Sequence, residues 1–145
     1  MKVELVEIDA VPDSLSSRWK VRALAIDDAS PALAALDGWL VSEKADFKKI
    51  IKSLRFATAT QRVTDEKFVK KSANSDDGNV YEARADKGHA RLMFFYCEEE
   101  KAIVCTNSFW KNRDNQNVAF TRCARFKELF EKHRNERKQD RKEKR

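Results

Sequence analysis

Apolar and polar residues alternate from Met1 to Val11, which predicts a strand, and Pro12, Asp13 and the serines after them end it. A second strand is expected over Trp19 to Ile26. There Trp19, Val21, Ala23 and Ala25 share one face, with Lys20 and Arg22 on the other. Asp27, Asp28 and Ser30 supply capping oxygens, and Pro31 suits a first helical turn. Beyond Ala32 the apolar positions Leu33, Leu36, Leu40, Phe47, Ile50, Ile51 and Leu54 fall on helical spacing. Gly38 and the polar stretch Ser42 to Asp46 divide that run into a helical hairpin. A shorter amphipathic piece, Asp65 to Lys71, leads into the turn-rich stretch Ser72 to Asn79.

The second half reads as three strands, Val80 to Ala85, Arg91 to Cys97 and Ala102 to Phe109. Tight turns at Lys87-Gly88 and at Glu98 to Lys101 join them. A last helix runs from about Asn117 to Lys132, with Ala119, Cys123, Phe126, Leu129 and Phe130 as its apolar stripe. The whole pattern predicts an α+β fold: a small antiparallel-rich β-sheet packed on an N-terminal helical hairpin, with a C-terminal helix. One domain is expected over residues 1–135, followed by a basic, flexible tail at 136–145.

Composition narrows the function classes. The chain has 145 residues, of which 37% are charged and 41% hydrophobic, as expected of one globular domain with a wet surface. Its longest apolar run, Leu92 to Cys97, is far below the roughly 20 residues that span a bilayer. Met1 to Asp9 lacks a cationic and apolar signal sequence, so a cytoplasmic location with no membrane partner is expected. Cys97, Cys105 and Cys123 sit inside apolar patterns without paired spacing and read as reduced core thiols. With only His89 and His133 available, a zinc site would need an unusual ligand set, and no metal or other cofactor is expected. Net charge is +6, and from Glu131 to Arg145 eight Lys or Arg stand against four Asp or Glu. Two readings of such a stretch stand: a solvated helix end or disordered arm, or instead a source of sequence-independent, salt-sensitive attraction to a polyanion.

A two-residue turn at Lys87-Gly88 places Arg84 opposite Arg91, with Glu82 and Arg84 on one face and Tyr81, Ala83 and Ala85 on the other. Opposed like charges are unfavourable unless offset. Two readings stand: Glu82 offsets the pair, or the pair awaits a phosphate that two guanidinium forks can grip. After the third strand come Phe109, Trp110, Lys111, Asn112 and Arg113. Aromatics beside cations suit single-stranded RNA, whose bases stack while the charges hold phosphates. Alternatively Trp110 caps the core while Lys111 and Arg113 are merely solvated. His89, beside the first turn, is the one histidine near these groups.

The stretch VYEARADKGHARLMFFYCEEEKAIVCTNSFWKNR, residues 80–113, resembles the phage-derived, HigB-type branch of the RelE-like toxins. That family shows a Tyr-x-x-Arg strand, a Gly-x-x-Arg turn and strand, a hairpin, and a Phe-x-Lys segment leading into a C-terminal helix. Tyr81 and Arg84 match the first motif, Gly88 and Arg91 the second, and Phe109 and Lys111 the third. Arg122 falls where the family often carries an arginine. The chain departs from the pattern at Trp110, commonly a lysine, at Asn107, often a histidine, and in lacking a proline before the last helix. Residues 1–18 form an N-terminal extension longer than is usual in the family.

The resemblance implies a RelE-like fold and messenger-RNA cleavage without a metal, on or off the ribosome. The RNA's own 2'-hydroxyl attacks the adjacent phosphate, leaving a cyclic phosphate and a free 5'-hydroxyl. Such a reaction needs a proton acceptor, a proton donor and cations against the charge developing on phosphorus. By analogy Arg84 and Arg91 grip the phosphate, and Lys111 transfers a proton if neighbouring cations lower its pKa. Arg113 is a further phosphate contact and His89 a reserve acid or base, while Lys87, Trp110 and Arg122 hold RNA. The resemblance also implies a cognate helix-turn-helix antitoxin. Two other classes remain open: a non-catalytic nucleic-acid-binding module, and an inhibitor of a protein target such as a topoisomerase.

Overall fold

The computed structural model describes residues 1–59, 65–74 and 78–143. The fold is α+β. In chain order its elements are β1 (Val3–Glu7), β2 (Lys20–Ile26), α1 (Pro31–Ser42), α2 (Lys44–Ala59), β3 (Val69–Lys71), β4 (Val80–Arg84), β5 (Ala90–Cys97), β6 (Ala102–Trp110) and α3 (Gln116–Glu143). The strands make one six-stranded sheet in the order β1-β2-β6-β5-β4-β3. Every neighbouring pair is antiparallel except β2 and β6.

The alternation in the sequence becomes two cores on the two sheet faces. On one face Val21, Ala23, Ala83, Leu92 and Phe94 meet α1 and α2 through Leu36, Trp39, Ile50 and Leu54. On the other Val80, Met93, Phe95 and Val104 meet α3 through Phe120, Cys123 and Phe130. Removing a Leu or Phe side chain of this kind from water contributes about 1.5–3 kcal/mol. The three cysteines are buried and none forms a disulfide. No helix among the described residues is long and apolar enough to cross a membrane.

Local signals act where expected. Ser30 caps α1, its hydroxyl accepting from the Leu33 amide at 3.3 Å, with Pro31 in the first turn. The helical run breaks at Glu43, where the backbone leaves helical geometry, and Gly38 stays inside α1. The two helices α1 and α2 follow one another as the helical hairpin read from the pattern, but its expected N-terminal place in the fold is overturned. Two strands precede the helices, because Val3–Glu7 satisfies its backbone against β2, and β2 in turn pairs with β6 from the far end of the chain.

The amphipathic piece at Asp65 to Lys71 divides into a turn and the short edge strand β3, which pairs with β4. Seven residues are too few to nucleate a stable helix alone, and the open edge of β4 offers hydrogen bonds instead. Of the turn-rich stretch after it, residues 75–77 lie outside the described residues, as do 144 and 145 of the basic tail. The rest of that tail continues α3 as far as Glu143. Arg134 and Lys138 both reach Glu99 in the β5–β6 turn, Lys138 at 2.7 Å, which ties this solvated end to the sheet.

Candidate functional site

At one end of the sheet the β4–β5 hairpin, the exit of β6 and the segment before β3 enclose a cleft of about 300 Å³. Arg84, Arg91, Lys87, His89 and Lys111 all line it, so five of the sequence-selected residues come together. Lys67 adds a further cation, and Glu66 and Asp86 are the carboxylate side chains on the wall. Lys67 and Asp86 approach to 3.7 Å.

The hairpin sets the geometry. Arg84 stands directly opposite Arg91, as the register inferred from the sequence requires. The turn itself differs from a two-residue loop: the amide of Gly88 donates to Ala85 at 2.8 Å, and Ala85 and Ala90 close the ladder. The connection is two residues longer at no change of parity, so the facing pair is preserved.

Of the two readings of the arginine pair, the offset by Glu82 has contacts in the structure. Glu82 lies on the same face, fully buried, with its carboxylate 3.4 Å from the Arg84 Nε. Gln116, at the start of α3, donates to both carboxylate oxygens at 3.0 and 3.1 Å. Burial pushes the Glu82 carboxyl above its ordinary range, against the lowering influence of Gln116, Arg84, Arg91 and Lys70. Arg91 is only 4% exposed, and burial with the neighbouring Arg84 lowers its pKa. Its Nη1 donates to the carbonyls of Ala90 at 2.9 Å and Gly88 at 3.1 Å, so Arg91 also holds the turn together. Arg84 Nη1 donates to the Glu66 carbonyl at 2.8 Å, and the Arg84 carbonyl accepts from Ser53 of α2 at 2.6 Å.

His89 is exposed but its main chain is held on both sides. Its amide and that of Ala90 donate to one oxygen of Asp46, each at 2.8 Å, and its carbonyl accepts from the Lys111 amide at 2.8 Å. The Lys111 side chain is exposed at the rim. Trp110 is half-buried against the core and stacks on His89, with centroids 5.4 Å apart and planes 13° from parallel.

Arg113 and Arg122 lie outside the lining of the cleft. Arg113 pairs with Asp114 at 3.2 Å and sits over the Trp110 ring at 5.9 Å. Arg122 is exposed on α3. Asn107 points away from the cleft, buried beneath α3, donating to the Ala119 carbonyl at 3.1 Å and accepting from Thr106 at 2.6 Å. It is a tie between β6 and α3.

Sequence reasoning missed Asp46. An acidic residue in the first turn of a helix reads as an ordinary partner of the helix dipole. Nothing local tells that it reaches a turn 43 residues away. Among the described residues no group of three or more His, Cys, Asp or Glu is arranged to hold a metal ion. No family model, no curated protein and no solved structure matches this chain.

Proposed function

We propose that the chain is a toxin-type endoribonuclease of the RelE-like kind, cutting messenger RNA in the cytoplasm without a metal and restrained by a helix-turn-helix antitoxin. The observation that carries this reading is the meeting of Arg84, Arg91, His89 and Lys111 in one cleft, from two paired strands, the turn between them and the end of a third strand. Arg84 and Arg91 repel each other across the ladder; Glu82, which acts on both, and Asp46, which acts on Arg91, offset part of that charge. A phosphate in the cleft would satisfy the remainder with charge-assisted hydrogen bonds.

In this mechanism the 2'-hydroxyl of the RNA attacks the adjacent phosphorus as its proton leaves. The bond to the 5'-oxygen breaks and that oxygen takes up a proton, giving a cyclic phosphate and a 5'-hydroxyl. Arg84 and Arg91 stabilise the charge that develops on the phosphoryl oxygens. Lys111, exposed at the rim, is the proton-transfer group. Lys87 and Lys67 extend the cationic wall along which the strand is drawn in.

The test is tightly induced expression of wild type beside Lys111→Ala, scored by growth and by total-RNA integrity. Growth arrest with RNA breakdown, both lost in the variant, supports the nuclease. Arrest with intact RNA refutes it in favour of a protein target, and no arrest favours a binding module. Rescue of growth by co-expression of the neighbouring helix-turn-helix gene tests the partner.

A further inference from the structure

We propose that the exposed imidazole of His89 is a stacking platform for one nucleobase of the bound RNA. The proposal rests on reading the cleft as an RNA site and adds how that site grips a base as well as a phosphate.

The ring contacts carry the argument. The His89 and Trp110 planes lie 13° from parallel with centroids 5.4 Å apart. Trp110 is seated against the core beside α1 and α2, and the Arg113 guanidinium lies over its ring at 5.9 Å. One face of the imidazole is therefore covered by an anchored indole, while the residue remains exposed.

The main chain is fixed as well. Asp46 accepts the His89 amide and the Lys111 amide donates to the His89 carbonyl, both at 2.8 Å. Such a preorganised ring loses little freedom when a flat partner settles on it. Bases stack on aromatic side chains wherever single-stranded RNA is held, because every base has a π-face. A nucleotide joins a base to a phosphate through one sugar, so platform and anion site must lie within a single recess. His89 shares its cleft with Arg84 and Arg91.

The experiment uses two labelled RNA trinucleotides, both 2'-O-methylated to block cleavage, one with all bases and one abasic at its middle position. Binding is measured for wild type, His89→Ala and His89→Phe, and cleavage of an unmodified RNA is followed in parallel. His89→Ala is expected to weaken binding of the complete trinucleotide by at least about fivefold, the low end for loss of one stacked base. The same variant leaves the abasic probe unaffected. His89→Phe keeps a flat ring without a titratable nitrogen and is expected to retain the affinity for the complete trinucleotide.

A His89→Ala protein that binds the complete trinucleotide as tightly as wild type, or a His89→Phe protein that binds it as weakly as His89→Ala, overturns the platform. Equal binding of the two probes by wild type overturns the platform while leaving the RNA site intact. Binding of neither probe overturns the RNA site together with the platform.

Discussion

A methyl group added at Gly88 would lie 2.8 Å and 2.9 Å from the two carboxylate oxygens of Asp46 and 3.0 Å from its carboxyl carbon. Contacts below 3.0 Å are not tolerated, so in Gly88→Ala the carboxylate must move. It is not at liberty to do so, because one of its oxygens accepts the amides of His89 and Ala90, each at 2.8 Å. Hydrogen bonds to a charged group contribute about 1.5–3 kcal/mol each. The His89 amide lies at an exposed residue where water replaces a lost partner, so the bond at buried Ala90 dominates. We therefore expect Gly88→Ala to destabilise the protein by about 2–3 kcal/mol. Asp46→Ala loses the same bonds and should cost a similar amount.

The double variant loses those bonds once. In an Asp46→Ala background Gly88→Ala should be nearly neutral, or slightly stabilising through the lower entropy of the unfolded chain. The coupling free energy is then about 2 kcal/mol, within the range for residues in contact. The assay is equilibrium urea unfolding of wild type, both single variants and the double. Additive costs, with Gly88→Ala as damaging without the Asp46 carboxylate as with it, would refute this account of the turn.

Three further outcomes follow from the packing. Glu82 has its pKa raised by burial, so between the ordinary glutamate value and the raised one the folded state holds more protons than the unfolded chain. Its contribution to stability is therefore complete at low pH and is lost as pH rises through that window; Glu82→Gln should remove this slope from unfolding midpoints measured between acidic and neutral pH, and an unchanged slope would count against it. Asn107→Ala breaks the buried hydrogen bond from β6 to the Ala119 carbonyl of α3 and the one accepted from Thr106 within β6, and should cost about 1–3 kcal/mol in denaturant unfolding. Phe94 is wholly buried beside Tyr81 and Tyr96, so Phe94→Ala should cost about 3–5 kcal/mol, read as a lowered urea midpoint.

Much of the site was legible because it depends on parity. Alternation along β4 and β5 places Glu82, Arg84 and Arg91 on one face, and any turn that keeps Ala85 paired with Ala90 brings the arginines opposite each other. The two-residue loop expected at Lys87-Gly88 was too short, yet lengthening it evenly left that relation unchanged. Lys111 reached the same cleft because it follows β6, which lies next to β5. The stack of His89 on Trp110 was not legible. Leu92 faces Ser108 while Phe94 faces Cys105, so β6 carries one extra residue across that step. The bulge turns Phe109 towards α3 and Trp110 towards the opposite core, a reversal that simple alternation does not anticipate.

The sequence by itself determined the elements whose causes are local. Ser30 and Pro31 start α1, period-two alternation marks the strands, and the apolar stripe of Ala119, Cys123 and Phe130 marks α3. It also determined that Arg84 and Arg91 face one another. Only the tertiary structure decided which strands are neighbours, that β1 and β2 join the sheet ahead of the helices, and that Asp46 clamps the turn beside His89. Those choices rest on hydrogen bonds and packing between segments tens of residues apart, and their free energy exists only once the chain has closed on itself.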